Sequence, residues 1–224
     1  MTFSLVARDP ATGAFGIVIS SSSPAVASRC AHARAGVGVV ASQNVTNPAL
    51  GTLVLDALSG GADADAALKA ALAQEQFPDY RQLTVVDTSG NTAVHSGPNS
   101  LGVHTHLQGD QAVAAGNLLA AEEVIAELLN GYASSGAAAF EERLLDGLHA
   151  AVAAGGEAGP VHSVGMLVVE DVPWPVTDLR VDHSDDPIGD LAALWELWKP
   201  QKNAYRVRGL DPTQAPSYGV PGDQ

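Results

Sequence analysis

Elements of like kind come in pairs along this chain, and that pairing restricts the folds open to it. Residues 2–8, Thr-Phe-Ser-Leu-Val-Ala-Arg, alternate in polarity up to the turn-forming Asp9-Pro10-Ala11-Thr12-Gly13, and residues 15–20 return as a second strand. A third strand is predicted over 35–41, delivering Ser42-Gln43-Asn44 into a loop. Leu50, Leu53, Val54, Ala57 and Leu58 then keep helical spacing until Gly60-Gly61, and Asp63 opens a second, Ala-rich helix reaching about Ala73. Another hairpin is predicted over 82–87 and 92–96, then long helices over 118–133 and 138–153, strands over 163–169 and 176–181, and a short helix over 191–198.

Hairpins separated by helix pairs suit antiparallel sheets covered by helices better than a repeated parallel βαβ unit. The expected fold class is α+β, a four-layer αββα sandwich of two antiparallel sheets flanked by helices. A single domain over 1–224 is expected, with 205–224 as a surface tail.

Composition narrows the partners. With 46% hydrophobic and 16% charged residues over 224 positions, the chain can bury a sizeable core. Its net charge of −14 opposes binding to nucleic acid or to an anionic membrane surface, since both present phosphates. Cys30 is the one cysteine, so an intrachain disulfide is impossible. No apolar run approaches the roughly 20 residues of a spanning helix, and the N-terminus has no signal-like segment; a cytoplasmic location is the expectation. No cofactor is expected. The expected partners are a small-molecule amide and a second copy of the chain, Trp195 and Trp198 suggesting a self-association surface.

Thr2 combines two useful groups. A threonine hydroxyl is a weak nucleophile until a base takes its proton, and an α-amino group with a pKa of about 7.7–8.0 can do so. Met1 precedes it, and an attached methionine turns that amine into an amide that accepts no proton, so the role requires Met1 to be removed. Without that chemistry, Thr2 is the first polar position of a strand.

Several strings together resemble the DUF1028 family: the opening Met1-Thr2-Phe3-Ser4-Leu5-Val6-Ala7-Arg8-Asp9-Pro10, then Ala33-Arg34-Ala35-Gly36-Val37-Gly38, Tyr80-Arg81-Gln82-Leu83 with Val86-Asp87, Ala115-Gly116-Asn117-Leu118-Leu119, and the closing 215–223. The resemblance runs over essentially the whole chain. It implies the N-terminal-nucleophile (Ntn) hydrolase superfamily, whose members share the αββα sandwich and mostly cleave amide bonds with the first residue of the mature chain. Carried over, the nucleophile is Thr2 and the reaction is hydrolysis of a linear amide, such as a ureido or N-acyl acid, through an acyl-enzyme.

The remaining site residues are candidates by chemistry. Asn44 and Asn117 could supply oxyanion donors, although Asn44 also reads as a turn residue and Asn117, after Gly116, as a helix N-cap. Ser42 and Gln43 share the loop with Asn44. Ser20 and Ser21 end the strand beside Thr2 and could bind polar substrate atoms, or simply form a solvated turn. Arg34 could hold a substrate carboxylate; Arg8 reads better as a turn-capping ion pair. His104 and His106, with Asp110, leave a metal-dependent hydrolase open, with surface histidines the plainer reading. No Gly-x-Ser-x-Gly elbow supports a Ser-His-Asp hydrolase. A binding or scaffold protein that keeps the sandwich without catalysis is the alternative.

Overall fold

The computed structural model describes residues 2–222; Met1, on whose removal the Thr2 role turns, and Asp223 of the closing motif lie outside them. In chain order the first half carries β1 (Thr2–Arg8), β2 (Phe15–Ser21), α1 (Ala27–Cys30), β3 (Ala31–Arg34), β4 (Gly38–Asn44), α2 (Ala49–Ser59), α3 (Ala64–Leu72), β5 (Arg81–Asp87) and β6 (Thr92–Ser96). The second half carries β7 (Thr105–Gly109), β8 (Ala112–Asn117), α4 (Glu123–Ala133), α5 (Phe140–Ala153), β9 (Ser163–Val169), β10 (Thr177–Val181), α6 (Pro187–Trp198) and α7 (Lys202–Leu210).

Two antiparallel sheets result, one of six strands ordered β10-β9-β2-β1-β8-β7 and one of four ordered β3-β4-β5-β6. Alternation along β1 explains the layering. Phe3 and Leu5 point outward and pack with Ile125, Leu128, Leu144 and Leu148 of α4 and α5. Val6 points the other way, joining Ile17, Val39, Val86 and Val113 between the sheets. On the far side, α2 and α3 bury Leu50, Val54 and Leu68 against Val40, Leu83 and Val85. The fold is therefore the α+β sandwich with layers αββα. Burial on both faces makes these strands near-continuously apolar, as sheets covered on both sides require.

Local signals set several boundaries. Asp63 caps α3, its carboxylate accepting the N–H of Ala66 at 2.8 Å. Pro187 opens α6, with Asp186 accepting from the N–H of Gly189.

Several stretches differ from the sequence-based expectation. The strand expected over 35–41 is replaced by a hairpin, with Ala31–Arg34 and Gly38–Asn44 flanking a turn in which Gly36 takes φ +67°. The helix expected from 118 begins at Glu123, a hairpin of β7 and β8 forms over 105–117 where the sequence pattern gives no strand, and α7 runs into the expected surface tail. Ala112-Val113-Ala114-Ala115-Gly116 favours a helix by composition, yet its small side chains are what lets this strand pack tightly against both neighbouring layers. A Cβ on Gly116 would sit 2.7 Å from Leu119 and 2.8 Å from Ile125. Tertiary packing overrides propensity here.

Among the described residues, no helix is long and apolar enough to cross a membrane.

Candidate functional site

Thr2 lies at the N-terminal end of β1, in the middle of the six-stranded sheet, and is 5% exposed. Its direct partner on β8 is Asn117. Side chains of directly opposed residues emerge on the same face, and Thr2 shares its face with Ser4 and Val6, so both Thr2 and Asn117 face the second sheet. Carrying the β1–β2 register one residue past Phe3↔Ser20 brings Ser21 alongside Thr2, and Ser163 of β9 pairs with Ser21. A row of polar side chains, Ser163, Ser21, Thr2 and Asn117, thus crosses this end of the sheet.

The four-stranded sheet answers it with Gln43 and Gln82. Ser4 Oγ donates to Gln43 Oε1 at 2.6 Å, and Gln43 Nε2 donates to Gln82 Oε1 at 2.8 Å and to the carbonyl of Ala115 at 3.2 Å. Gln82 Nε2 in turn donates to the carbonyl of Gly116 at 3.1 Å and to Ser96 Oγ at 3.0 Å. Because backbone carbonyls accept only, they fix the orientation of both glutamine amides. Asn117 must then offer its NH2 group to Gln82 Oε1, at 3.2 Å, which leaves Asn117 Oδ1 buried without a hydrogen-bond partner among the described residues. An unsatisfied acceptor of this kind costs about 1–3 kcal/mol. Between the sheets the core is apolar through Val6, Ala41 and Val86, and it becomes polar toward the Thr2 end.

Glu157 closes this end from outside. It bridges to Leu119, two residues past Asn117, and the Ser22 N–H donates to both of its carboxylate oxygens at 3.2 and 3.0 Å. Only 4% of Glu157 is exposed. Burial pushes its carboxyl up to about 7, against the opposing pull of the Ser22 hydrogen bond and of His162. Its outer edge lines a cleft of about 310 Å³ shared with Gly159, Pro160, Val161, Asp185 and Asp186. A cleft of about 400 Å³ at the opposite end of the sheet, lined by Arg8, Tyr132 and Arg143, lies a strand's length from Thr2.

The structure gathers some candidates around Thr2 and disperses others. Asn117, Ser21 and Gln43 come together there. Ser20 points to the helix side and donates to the carbonyl of Ser163 at 3.0 Å. Ser42 also points outward, donating to the carbonyl of Asn47 at 2.9 Å. Asn44, at φ +74°, ties loops together: its Nδ2 donates to the carbonyl of Tyr80 at 2.7 Å and its Oδ1 accepts the Leu101 N–H at 3.2 Å. Arg34 stands at the far end of β3, ion-paired to Asp56 at 2.8 Å and donating to Ser59 Oγ at 2.8 Å. His104 and His106 separate, the first near the carbonyl of Gly102 and the second 3.0 Å from Ser96 Oγ. No cluster of metal-ligating side chains occurs among the described residues.

Gln82, Ser4, Ser163 and Glu157 belong to the site without having been singled out in the sequence. The pattern Gln82-x-Thr84-x-Val86 signals which side of β5 is polar at its start. Nothing local signals Glu157, since an acidic residue after Gly155-Gly156 resembles any exposed turn.

A model of the DUF1028 family, described as a family of unknown function, matches residues 2–191. The chain belongs to this family. Similar to it is protein SPO2555 from Silicibacter pomeroyi, also of DUF1028, at 31% identity and TM-score 0.82, with 89% of each chain covered. Distant overlaps are found with Anbu, the ancestral beta-subunit, from Yersinia bercovieri (12% identity, TM-score 0.38, covering 97% of this chain and 100% of that one). Anbu from Hyphomicrobium sp. strain MC1 overlaps similarly (9% identity, TM-score 0.40, 98% and 100% covered). No curated protein sequence matches this DUF1028 chain.

Proposed function

We propose that this chain is an Ntn-type amidohydrolase that cleaves a linear amide bond in a small substrate through an acyl-enzyme on Thr2. Removal of Met1 frees the Thr2 amine. The amine takes the hydroxyl proton as Oγ attacks the substrate carbonyl carbon, then gives it to the departing nitrogen as the C–N bond breaks. Water, deprotonated by the same amine, hydrolyses the ester and restores the hydroxyl.

The observation that carries this reading is the polar layer at the Thr2 end, with Asn117 Oδ1 beside it left unpartnered among the described residues. A buried polar layer destabilises a sandwich unless each group is bonded, so an unfilled acceptor beside a hydroxyl suits a position kept for an N–H, either of the Thr2 amine or of the scissile amide. In this reading Asn117 accepts and orients, and the oxyanion donors come from elsewhere.

The low exposure of Thr2, 5%, favours a second reading, a non-catalytic binding protein that keeps the sandwich. Intact-mass measurement of the natively produced protein separates the two. The hydrolase reading expects loss of one methionine and, after a β-lactone probe, one adduct that maps to Thr2 and is absent from Thr2→Ala. Retained methionine in natively produced protein, or equal labelling of Thr2→Ala, sinks it.

A further inference from the structure

Among the described residues Glu157 is a buried carboxylate with no arginine or lysine ion-paired to it, whereas Asp9, Glu75 and Glu141, also largely buried, each pair with an arginine or lysine. Among the described residues its side chain has the Ser22 N–H as hydrogen-bond donor. A buried carboxylate in that condition is costly unless a positive charge reaches it.

Sheet register shows where that charge belongs. β1 lies between β8 and β2. Glu157 is attached on the β8 side through Leu119, yet its carboxylate is bonded on the β2 side to Ser22, one residue beyond the Ser21 that stands beside Thr2. Backbone bridge and side chain together therefore span the gap of two strand spacings, about 9–10 Å, in line with β1 and just past its N-terminal end. Gly156 confirms the closeness: a Cβ there would lie 3.8 Å from the Phe3 ring. The group on β1 that faces this space is the nitrogen of Thr2.

We propose that Glu157 is a positioning residue for the amino group of processed Thr2, holding its ammonium form and raising its proton affinity. The inference rests on the Thr2 reading above and deepens it. During acyl transfer the amine becomes an ammonium, and a carboxylate fixed beside it stabilises that charge without itself exchanging a proton with substrate, as the buried acid of a catalytic triad does for its imidazolium. The other charged or titratable groups facing Glu157 are His162, from the segment entering β9, and Asp185 and Asp186, from the segment entering α6. His162 is stacked on His183 at 5.2 Å and lies 3.1 Å from the Ser184 carbonyl, so its ring is held in place by contacts of its own. Ser22, just past β2, donates its N–H to the carboxylate, and Leu119, just past β8, bridges to the Glu157 backbone.

The test uses the full chain released from a cleavable N-terminal fusion so that Thr2 is the first residue, as wild type, Glu157→Gln and Glu157→Asp. The Thr2 amine is titrated by NMR after 13C-methylation, and the rate of β-lactone adduct formation is followed against pH by intact mass. Glu157→Gln is expected to lower the amine pKa by about one unit, a tenfold change in proton affinity, and to move the pH–rate inflection down with it. Glu157→Asp should fall between. An amine pKa and inflection unchanged in Glu157→Gln, with folding intact by circular dichroism, overturns the proposal. If the amine pKa falls while wild type acquires no adduct at any pH, the ion pair stands and the hydrolase reading fails. Should Glu157→Gln not fold, Glu157→Asp carries the same comparison.

Discussion

Thr2 and Asn117 are direct cross-strand partners at the end of the β1–β8 ladder, so their side chains stand next to each other on the face that meets the second sheet. Asn117 is wholly buried and donates to Gln82, which makes its amide both a structural link and a polar neighbour of the proposed nucleophile.

Asn117→Ala should separate those roles. Losing the bond to Gln82 is expected to cost about 1–2 kcal/mol in urea unfolding, while Thr2 adduct formation should fall by about tenfold or more if the amide orients the reacting groups. Adduct formation at the wild-type rate in a folded Asn117→Ala protein would rule out that orienting role.

The raised pKa of Glu157 makes stability depend on pH in a definite direction. Its folded value of about 7 exceeds the ordinary 4.5, so its stabilising contribution is complete below about pH 4.5 and is lost as pH rises through 7. Glu157→Gln should flatten that decline, exceeding wild type by roughly 2–3 kcal/mol at pH 8. Urea melts of the fusion-free, Met1-bearing chain at pH 5 and pH 8 measure it; parallel curves for the two proteins refute it.

Glu75 predicts the opposite slope. Hydrogen bonds from Arg81 and Asn47 hold its carboxyl down to about 2. Its contribution is therefore present above about pH 4.5 and disappears as pH falls through 2. Arg81 also donates to the carbonyl of Val45, so the pair braces the loop that follows Asn44. Glu75→Gln should cost about 2 kcal/mol at pH 7 and lessen the loss of stability on acidification; equal acid unfolding midpoints and equal neutral stability would contradict this.

Gly97 is predicted to tolerate no side chain. A Cβ there would sit 2.2 Å from the carbonyl oxygen of Asp79, a backbone atom in the turn that precedes β5, and the Gly97 N–H donates to the carbonyl of Arg81. Gly97→Ala is expected to destabilise by about 2 kcal/mol or more, read as a lowered thermal midpoint. A midpoint equal to wild type would show that the turn yields freely.

Much of the fold was legible because its signals are local. Period-two alternation in residues 2–8 assigns Phe3 and Leu5 to one face and Ser4 and Val6 to the other, and the order of hairpins and helix pairs leads to stacked antiparallel sheets. The signal failed where composition and environment conflict, as in the alanine-rich β8, whose strand state comes from layers pressing on both faces. Arg34 illustrates the same limit within the site, since its spacing from Asn44 says nothing about the opposite ends of β3 and β4 at which the two residues lie.

By itself the sequence determined the layered architecture, the family, and a threonine at the head of the first strand, because each is written in short-range pattern. Only the tertiary structure decided what surrounds that threonine. Gln82 meets Asn117 across 35 residues and Glu157 reaches Ser22 across 135. Alternation fixes the face on which a side chain emerges, but the strand that will cover it depends on the stacking of the sheets, and that is where this polar layer and its buried carboxylate are made.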